Sequence, residues 1–355
     1  MLQQFWSIAA NTFSEAIRQP VYVVITLVGI IMLVINPMLA AYTLENDNKL
    51  MIDLGLSTVL LAGLFLSAFS ATGVLATEIE NRTVLTVISK PVNRPIFVLG
   101  KFAGVAAAIT LAFWILAAVF ALTIRHRVMQ TARDDFDIPV ILFGCAAIAG
   151  SMFIATAGNY LYRWVFTSIL MKTLAITLTA AFLLVLVIGK EFTLQAPWHD
   201  LTQHNAELAQ TLLGLILVFQ GVMVIAAVAI AASTRLGQVM TLMICLGVLG
   251  LGVTAGFLSN WVDQQVHVPV GYGWIPTAQA IANAEISLGV KAIFLCVKSL
   301  YLLLPNFQYF WPADAITQGN PFTLTYIASI VAYGSLYAGV VLSLAVGLFQ
   351  SREVG

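Results

Sequence analysis

"FAGVAAAITLAFWILAAVFALTI", residues Phe102–Ile124, runs for 23 residues without a formal charge. At about 1.5 Å per residue, a helix of that length crosses the roughly 30 Å hydrocarbon core of a bilayer. A surface helix of a water-soluble domain would carry a charged face, and this stretch has none. Reading outward for similar runs gives Val21–Ala41, Leu54–Leu75, Ile138–Gly158, Phe166–Ile188, Thr211–Ala232, Gln238–Leu258 and Thr325–Phe349, eight in all, with Lys172 the one formal charge inside them. Of the 355 residues, 60% are hydrophobic and 9% charged, far outside the range of a soluble globular domain. The expected fold class is therefore an all-α integral membrane protein, a polytopic helical bundle of about eight spans.

Other classes fall away on composition. A formal net charge of +0 offers no basic surface for nucleic acid. Cys145, Cys245 and Cys296 stand singly among apolar neighbours, without zinc-site or disulfide-framework spacing, and read as packing residues. Lys172 lies near one end of its run, where it either snorkels to the interface or serves an ion pathway.

The first 20 residues lack the basic segment and continuous apolar core of a cleavable leader. Leu2, Phe5, Trp6, Ala9, Phe13, Ala16 and Ile17 recur at helical spacing instead, until Pro20 ends the pattern. An amphipathic helix over 1–20, lying along the membrane surface, is expected. Residues 21–258 read as a transmembrane bundle with a charged loop at 76–101. Residues 259–324, broken by Pro269, Pro276, Pro305, Pro312 and Pro321, read as an extracytoplasmic segment with an amphipathic helix at 285–304. There Lys291 and Lys298 share a face that would be submerged if the helix crossed. Residues 325–355 give the last span and a short tail. Eight spans put both termini on one side, and placing 76–101 in the cytoplasm leaves Arg18, Arg82, Lys90, Arg94, Lys101, Arg163, Arg235 and Arg352 inside. Arg125, Arg127 and Arg133 argue against that orientation.

Small residues four apart, Gly100 and Gly104, Gly252 and Gly256, Ser335 and Gly339, Ser343 and Gly347, allow close helix approach, within the chain or in a dimer. Trp261, Tyr272, Trp274, Tyr309 and Trp311 suit an interfacial belt or the rim of a vestibule.

The loop itself reads as a short helix. Thr77 and Glu80 have the form of a capping box, Glu78 and Arg82 stand four apart, Lys90 closes the last turn and Pro91 forbids continuation. Val84, Leu85, Val87 and Ile88 form an apolar patch that the predicted helix, Glu78–Ser89, cannot bury alone. Either it docks into a groove on a partner, or the segment is an ordinary basic cytoplasmic loop. The order Glu78, Glu80, Arg82-Thr83, Ser89-Lys90-Pro91, Arg94-Pro95, Gly100-Lys101 resembles the cytoplasmic loop of ABC-2 type transporter permeases, over about twenty-five residues. Weaker echoes at Glu15–Pro20, Ser233–Gly237, Leu303–Phe310 and Phe349–Glu353 are similar to the subgroup that includes permease components of copper-enzyme maturation and gliding motility.

That resemblance implies a coupling helix gripped by a separate ATP-binding subunit. Its contacts would be Glu78, Glu80, Arg82, Lys90 and Arg94, with Val84, Val87 and Ile88 filling the groove. It implies two permease chains, as a homodimer or heterodimer, with two ATPase subunits and accessory proteins in a bacterial inner membrane. The family core usually has six spans, two fewer than the run count. The chain has no G-x-x-x-x-G-K-[ST], so ATP and magnesium would sit on the partner, leaving no cofactor and no catalysis here. HExxH and G-x-S-x-G are absent too. A secondary transporter and a membrane anchor of a larger complex stay open as alternatives. His199, Asp200 and His204 could sketch a metal site, with solvated loop residues as the plainer reading.

Overall fold

The computed structural model describes residues 2–41, 47–76, 93–129, 136–202, 207–266 and 288–350. The expected coupling helix lies outside them, and with it Glu78, Glu80, Arg82, Val84, Val87, Ile88 and Lys90. The described residues form twelve helices: α1 Leu2–Ala16, α2 Pro20–Ala40, α3 Asp47–Ala71, α4 Arg94–His126, α5 Ile138–Tyr162, α6 Phe166–Val187, α7 His199–Thr202, α8 Glu207–Ser233, α9 Gln238–Val266, α10 Leu288–Leu303, α11 Ala313–Thr317 and α12 Leu324–Gln350. A π-helical turn, Thr72–Ala76, prolongs α3, and a 3-10 turn, Phe307–Phe310, follows α10. Eight helices, α2, α3, α4, α5, α6, α8, α9 and α12, are long and apolar enough to cross a bilayer, and they coincide with the eight predicted runs. The chain is an all-α, multi-pass membrane protein.

In their most apolar 18-residue stretches 72% of the residues of α8, 67% of α4 and 56% of α3 are buried, against 28% for α5, α9 and α12, so the first three form the centre. Glycine makes their closeness achievable: Gly63 of α3 faces Val222 of α8, and Gly55 faces the ring of Phe120 on α4. Around this triad α2 packs on α3 and α4, the α5–α6 hairpin packs on α4, α12 on α8 and α4, and α9 on α8 and α3, with α10 against α9. Several polar groups at membrane depth find partners across helices. Tyr22 donates to the Ala108 carbonyl at 2.6 Å, Asn36 to that of Met51 at 2.7 Å, and Ser151 pairs with Thr177 at 2.7 Å.

Chain alternation puts α1, the end of α3, the start of α4 and the end of α12 at one end of the bundle, hereafter the N-terminal end. Thr167 donating to the Arg18 carbonyl at 3.2 Å ties that end together. The opposite, far end is tied by Lys49–Asp314 at 3.3 Å and by Phe322 N donating to Gln210 at 3.0 Å.

Four expectations need correction. Membrane return was expected at Lys101, but α4 begins at Arg94: Asn93 is the N-cap, and Pro95 in the first turn lacks an N–H that would have been unpaired there anyway. Lys172 is not the sole charge within the spans, because helices outrun their apolar windows and take in Lys49, Asp53, Arg94, Lys101 and Arg125. The apolar set predicted for α1 is divided. Ala9, Ala16 and Ile17 are buried in the bundle while Leu2 and Trp6 are 78% and 67% exposed, because Gly100 and Gly104 of α4 leave a trough that α1 fills. Lys298 is not stranded on a bare face: its ammonium donates to Ser259 at 2.8 Å and sits 5.8 Å over the Phe294 ring. Of the small-residue pairs, Gly252 and Gly256 seat Phe307 and Gln308, whereas Gly339 and Gly347 face open space.

Candidate functional site

Both flanks of the 77–92 segment are anchored at the N-terminal end. On one side Gly73, in the π turn, packs against the Gln19 amide. On the other, Arg94 Nη1 donates to the Gln350 carbonyl at 2.7 Å, and Phe97 stacks on Phe349 at 5.5 Å between centroids. Lys101 is 2% exposed, lying 5.6 Å over the Phe97 ring and 3.9 Å from Glu15 of α1. The return of the chain into the membrane is thus a junction of α1, α4 and α12. Arg94 is the one predicted coupling residue within the described residues, and it is placed at this junction.

A helix leaves its last four carbonyls without intrahelical donors and ends on a partial negative charge. At α12 two guanidinium groups answer both needs. Arg235 gives Nε and Nη2 to the Leu348 carbonyl at 3.1 and 2.8 Å, beside the Arg94 bond to Gln350. These groups are exposed, so each contributes modestly. Arg235→Ala should lower stability by about 0.3–1 kcal/mol and speed amide exchange in the last turn of α12, measured by hydrogen–deuterium exchange. Unchanged exchange there would remove Arg235 as a cap.

At the far end a second constellation was not foreseen. Arg125, in the last turn of α4, bonds Asp137 through Nη1 at 2.5 Å and Asp200 through Nε at 2.7 Å. Asp137 is fully buried and also caps α5, accepting from Val140 N at 3.3 Å. Asp200 accepts a further bond from Gln195 at 2.7 Å. Residues 188–202 form a strap closed by an isolated bridge between Ile188 and Leu194. The triad pins this strap over the end of α4. Asp200 is therefore not the solvated loop residue expected: His199 lies 3.6 Å away, but the Asp200 carboxylate is committed to Arg125 and Gln195, and His204 lies outside the described residues.

The strap roofs a cavity of about 340 Å³ lined by Arg125, Arg127, Lys190, His199, Asp200 and Glu207. Arg127 has φ 65 and ψ 171, a combination reserved almost entirely for glycine that costs about 1–3 kcal/mol elsewhere in proteins. It also lines a larger apolar cleft of about 590 Å³ between α2, α4 and α5.

No sequence signal links Arg125 to a residue 75 positions away; the spacing of Arg125 and Asp137 across a turn was the only local hint. The N-terminal junction was more visible, since Gly100, Gly104 and Arg94 all belong to motifs that stand out in the sequence. No curated relative matches the chain. Residues 6–158, which take in α1 to α5 and both flanks of the charged loop, match the model of the ABC-2 family transporter protein. Over that stretch the chain is similar to the membrane domain of ABC-2 family transporters.

Proposed function

We propose that this chain is the permease subunit of an ATP-binding-cassette exporter, driven by separate ATPase subunits that grip residues 78–89. The observation that carries the reading is the family match across 6–158, whose middle is the charged loop. Glu78, Glu80, Arg82, Lys90 and Arg94 make the polar contacts with the ATPase, and Val84, Val87 and Ile88 enter its groove. ATP and magnesium belong to that partner, and two permease chains with two ATPase subunits make the working unit in a bacterial inner membrane. Orientation follows from the same model: an ATPase in the cytosol requires the N-terminal end, and both termini, to face it.

The junction supports a route for force. A push on the loop reaches α4 directly, α12 through Arg94 and Phe97, and α1 through Lys101 and the glycine trough.

The test is copurification with an ATP-binding-cassette ATPase coexpressed with this chain. Val84→Asp with Ile88→Asp, each placing a carboxylate in an apolar contact, should reduce recovery of the ATPase by roughly tenfold or more, about 1.4 kcal/mol, with membrane insertion intact. Full recovery, or labelling of Arg94→Cys solely from the extracytoplasmic side, would end the coupling account.

A further inference from the structure

The two hollows at the far end meet at one residue, Arg127, which lines both. They differ in chemistry. The cleft is walled by Val34, Met38, Val119, Ile141, Ile148 and Leu178, and its about 590 Å³ falls within the roughly 300–1,000 Å³ of ordinary small-molecule sites. From His126 at its rim to Val119 inside, it follows α4 inward for about 10 Å at 1.5 Å per residue. Val34, Met38 and Ile141 are 55%, 69% and 43% exposed on the outer surface of α2 and α5, so the cleft opens sideways toward lipid rather than into the bundle.

The neighbouring cavity is lined by charged side chains of both signs, Arg125, Arg127 and Lys190 with Asp200 and Glu207. Among the described residues no carboxylate lies within ion-pairing distance of Arg127 or Lys190. Asp137 and Asp200 are committed to Arg125, and Glu207 has an interaction of its own. Arg127 moreover holds its guanidinium at this boundary in a backbone conformation suited to glycine. An apolar slot open to the bilayer, leading to two cations that have no ion-pair partner among the described residues, is complementary to a molecule with a long alkyl chain and an anionic head.

We infer that the two hollows form one site for a single anionic phospholipid of the surrounding bilayer, with an acyl chain in the α2–α4–α5 cleft and its phosphate at Arg127 and Lys190. The site is independent of the loop at the other end and stands whether or not an ATPase docks there.

The full-length chain, reconstituted with phosphatidylcholine and phosphatidylglycerol and then stripped with detergent, is examined by native mass spectrometry for retained lipid. One phosphatidylglycerol should remain, preferred over phosphatidylcholine by roughly tenfold. Arg127→Gly relieves the strained backbone, so its melting temperature should not fall, yet the preference should drop to parity. Gly144 lines the cleft with open space at its Cβ, and Gly144→Phe should abolish retention of both lipids; Gly339→Phe, in open space on α12, should leave it unchanged. Alkylating Cys145, an exposed thiol lining the same cleft, after folding and in a Cys296→Ser background, should reproduce the Gly144→Phe loss without burdening folding. Glycerol phosphate should fail to displace the lipid. Parity in the wild type, preference kept by Arg127→Gly, lipid retained after Cys145 alkylation, or displacement by glycerol phosphate, which would mark a soluble-anion site, each overturns the inference.

Discussion

Arg125→Ala is expected to destabilise the protein by about 3–5 kcal/mol, the cost found when one partner of a buried ion pair is removed. The magnitude follows from what would be left behind. Asp137 has no exposed side-chain surface and Asp200 retains 14%, so both carboxylates would lose their guanidinium with little water to replace it. Asp137 would keep only its capping bond from Val140, and Asp200 its bond from Gln195. The strap should then lift, freeing the already exposed residues 190–194 to enter a protease site, while the apolar core of α3, α4 and α8 persists. Removing the opposing charge as well should recover part of the loss: Arg125→Met with Asp137→Asn is predicted to be more stable than Arg125→Ala, since no isolated buried charge remains at that pair. The measurement is thermal or denaturant unfolding in one detergent for all variants. A loss below about 1 kcal/mol for Arg125→Ala would place the triad among exposed pairs of small worth and remove the strap's anchor.

What was legible in the sequence was whatever the bilayer dictates. Hydrocarbon thickness fixes the length of an uncharged run, so all eight spans could be read, and close approach in lipid selects small residues, so Gly100, Gly104, Gly252 and Gly256 could be singled out. Charges near helix ends were less legible because hydropathy windows stop where helices do not. Lys101 was read as a boundary marker, yet it lies buried in the second turn of α4. The partnership of Arg125 with Asp200, or of Lys298 with Ser259, depends on which helices neighbour each other, and no local period encodes that. For α1 the apolar face was visible, but not that Ala9 and Ala16 would meet protein while Leu2 and Trp6 stayed outside. The charged loop is the reverse case: its sequence is the most specific in the chain, and its flanks alone lie among the described residues.

Those flanks make Gly104 the position where packing and coupling can be separated. A Cβ there would lie 2.5 Å from the Ala9 carbonyl oxygen and 2.5 Å from Thr12 Cβ. A side-chain tip could swing away, but a helix backbone cannot, so Gly104→Leu must force α1 off α4. Overpacking of this kind costs about 1–3 kcal/mol, and here the cost should fall on α1, which packs against α4 at the edge of the bundle. Amides of residues 2–16 should exchange far faster while those of α8 keep their protection, the signature of local rather than global opening. With α1 displaced, Glu15 moves away from Lys101, and the junction that joins α1 to the loop flank is lost. ATPase copurification should therefore survive, since residues 78–89 are untouched, while stimulation of ATP hydrolysis by the permease falls. Gly339→Leu, whose Cβ meets nothing within contact distance, supplies the control for an added side chain in lipid. If Gly104→Leu leaves α1 exchange unchanged, the trough is not what seats that helix; if α1 opens yet stimulation is retained, force from the loop travels through α4 and α12 without it.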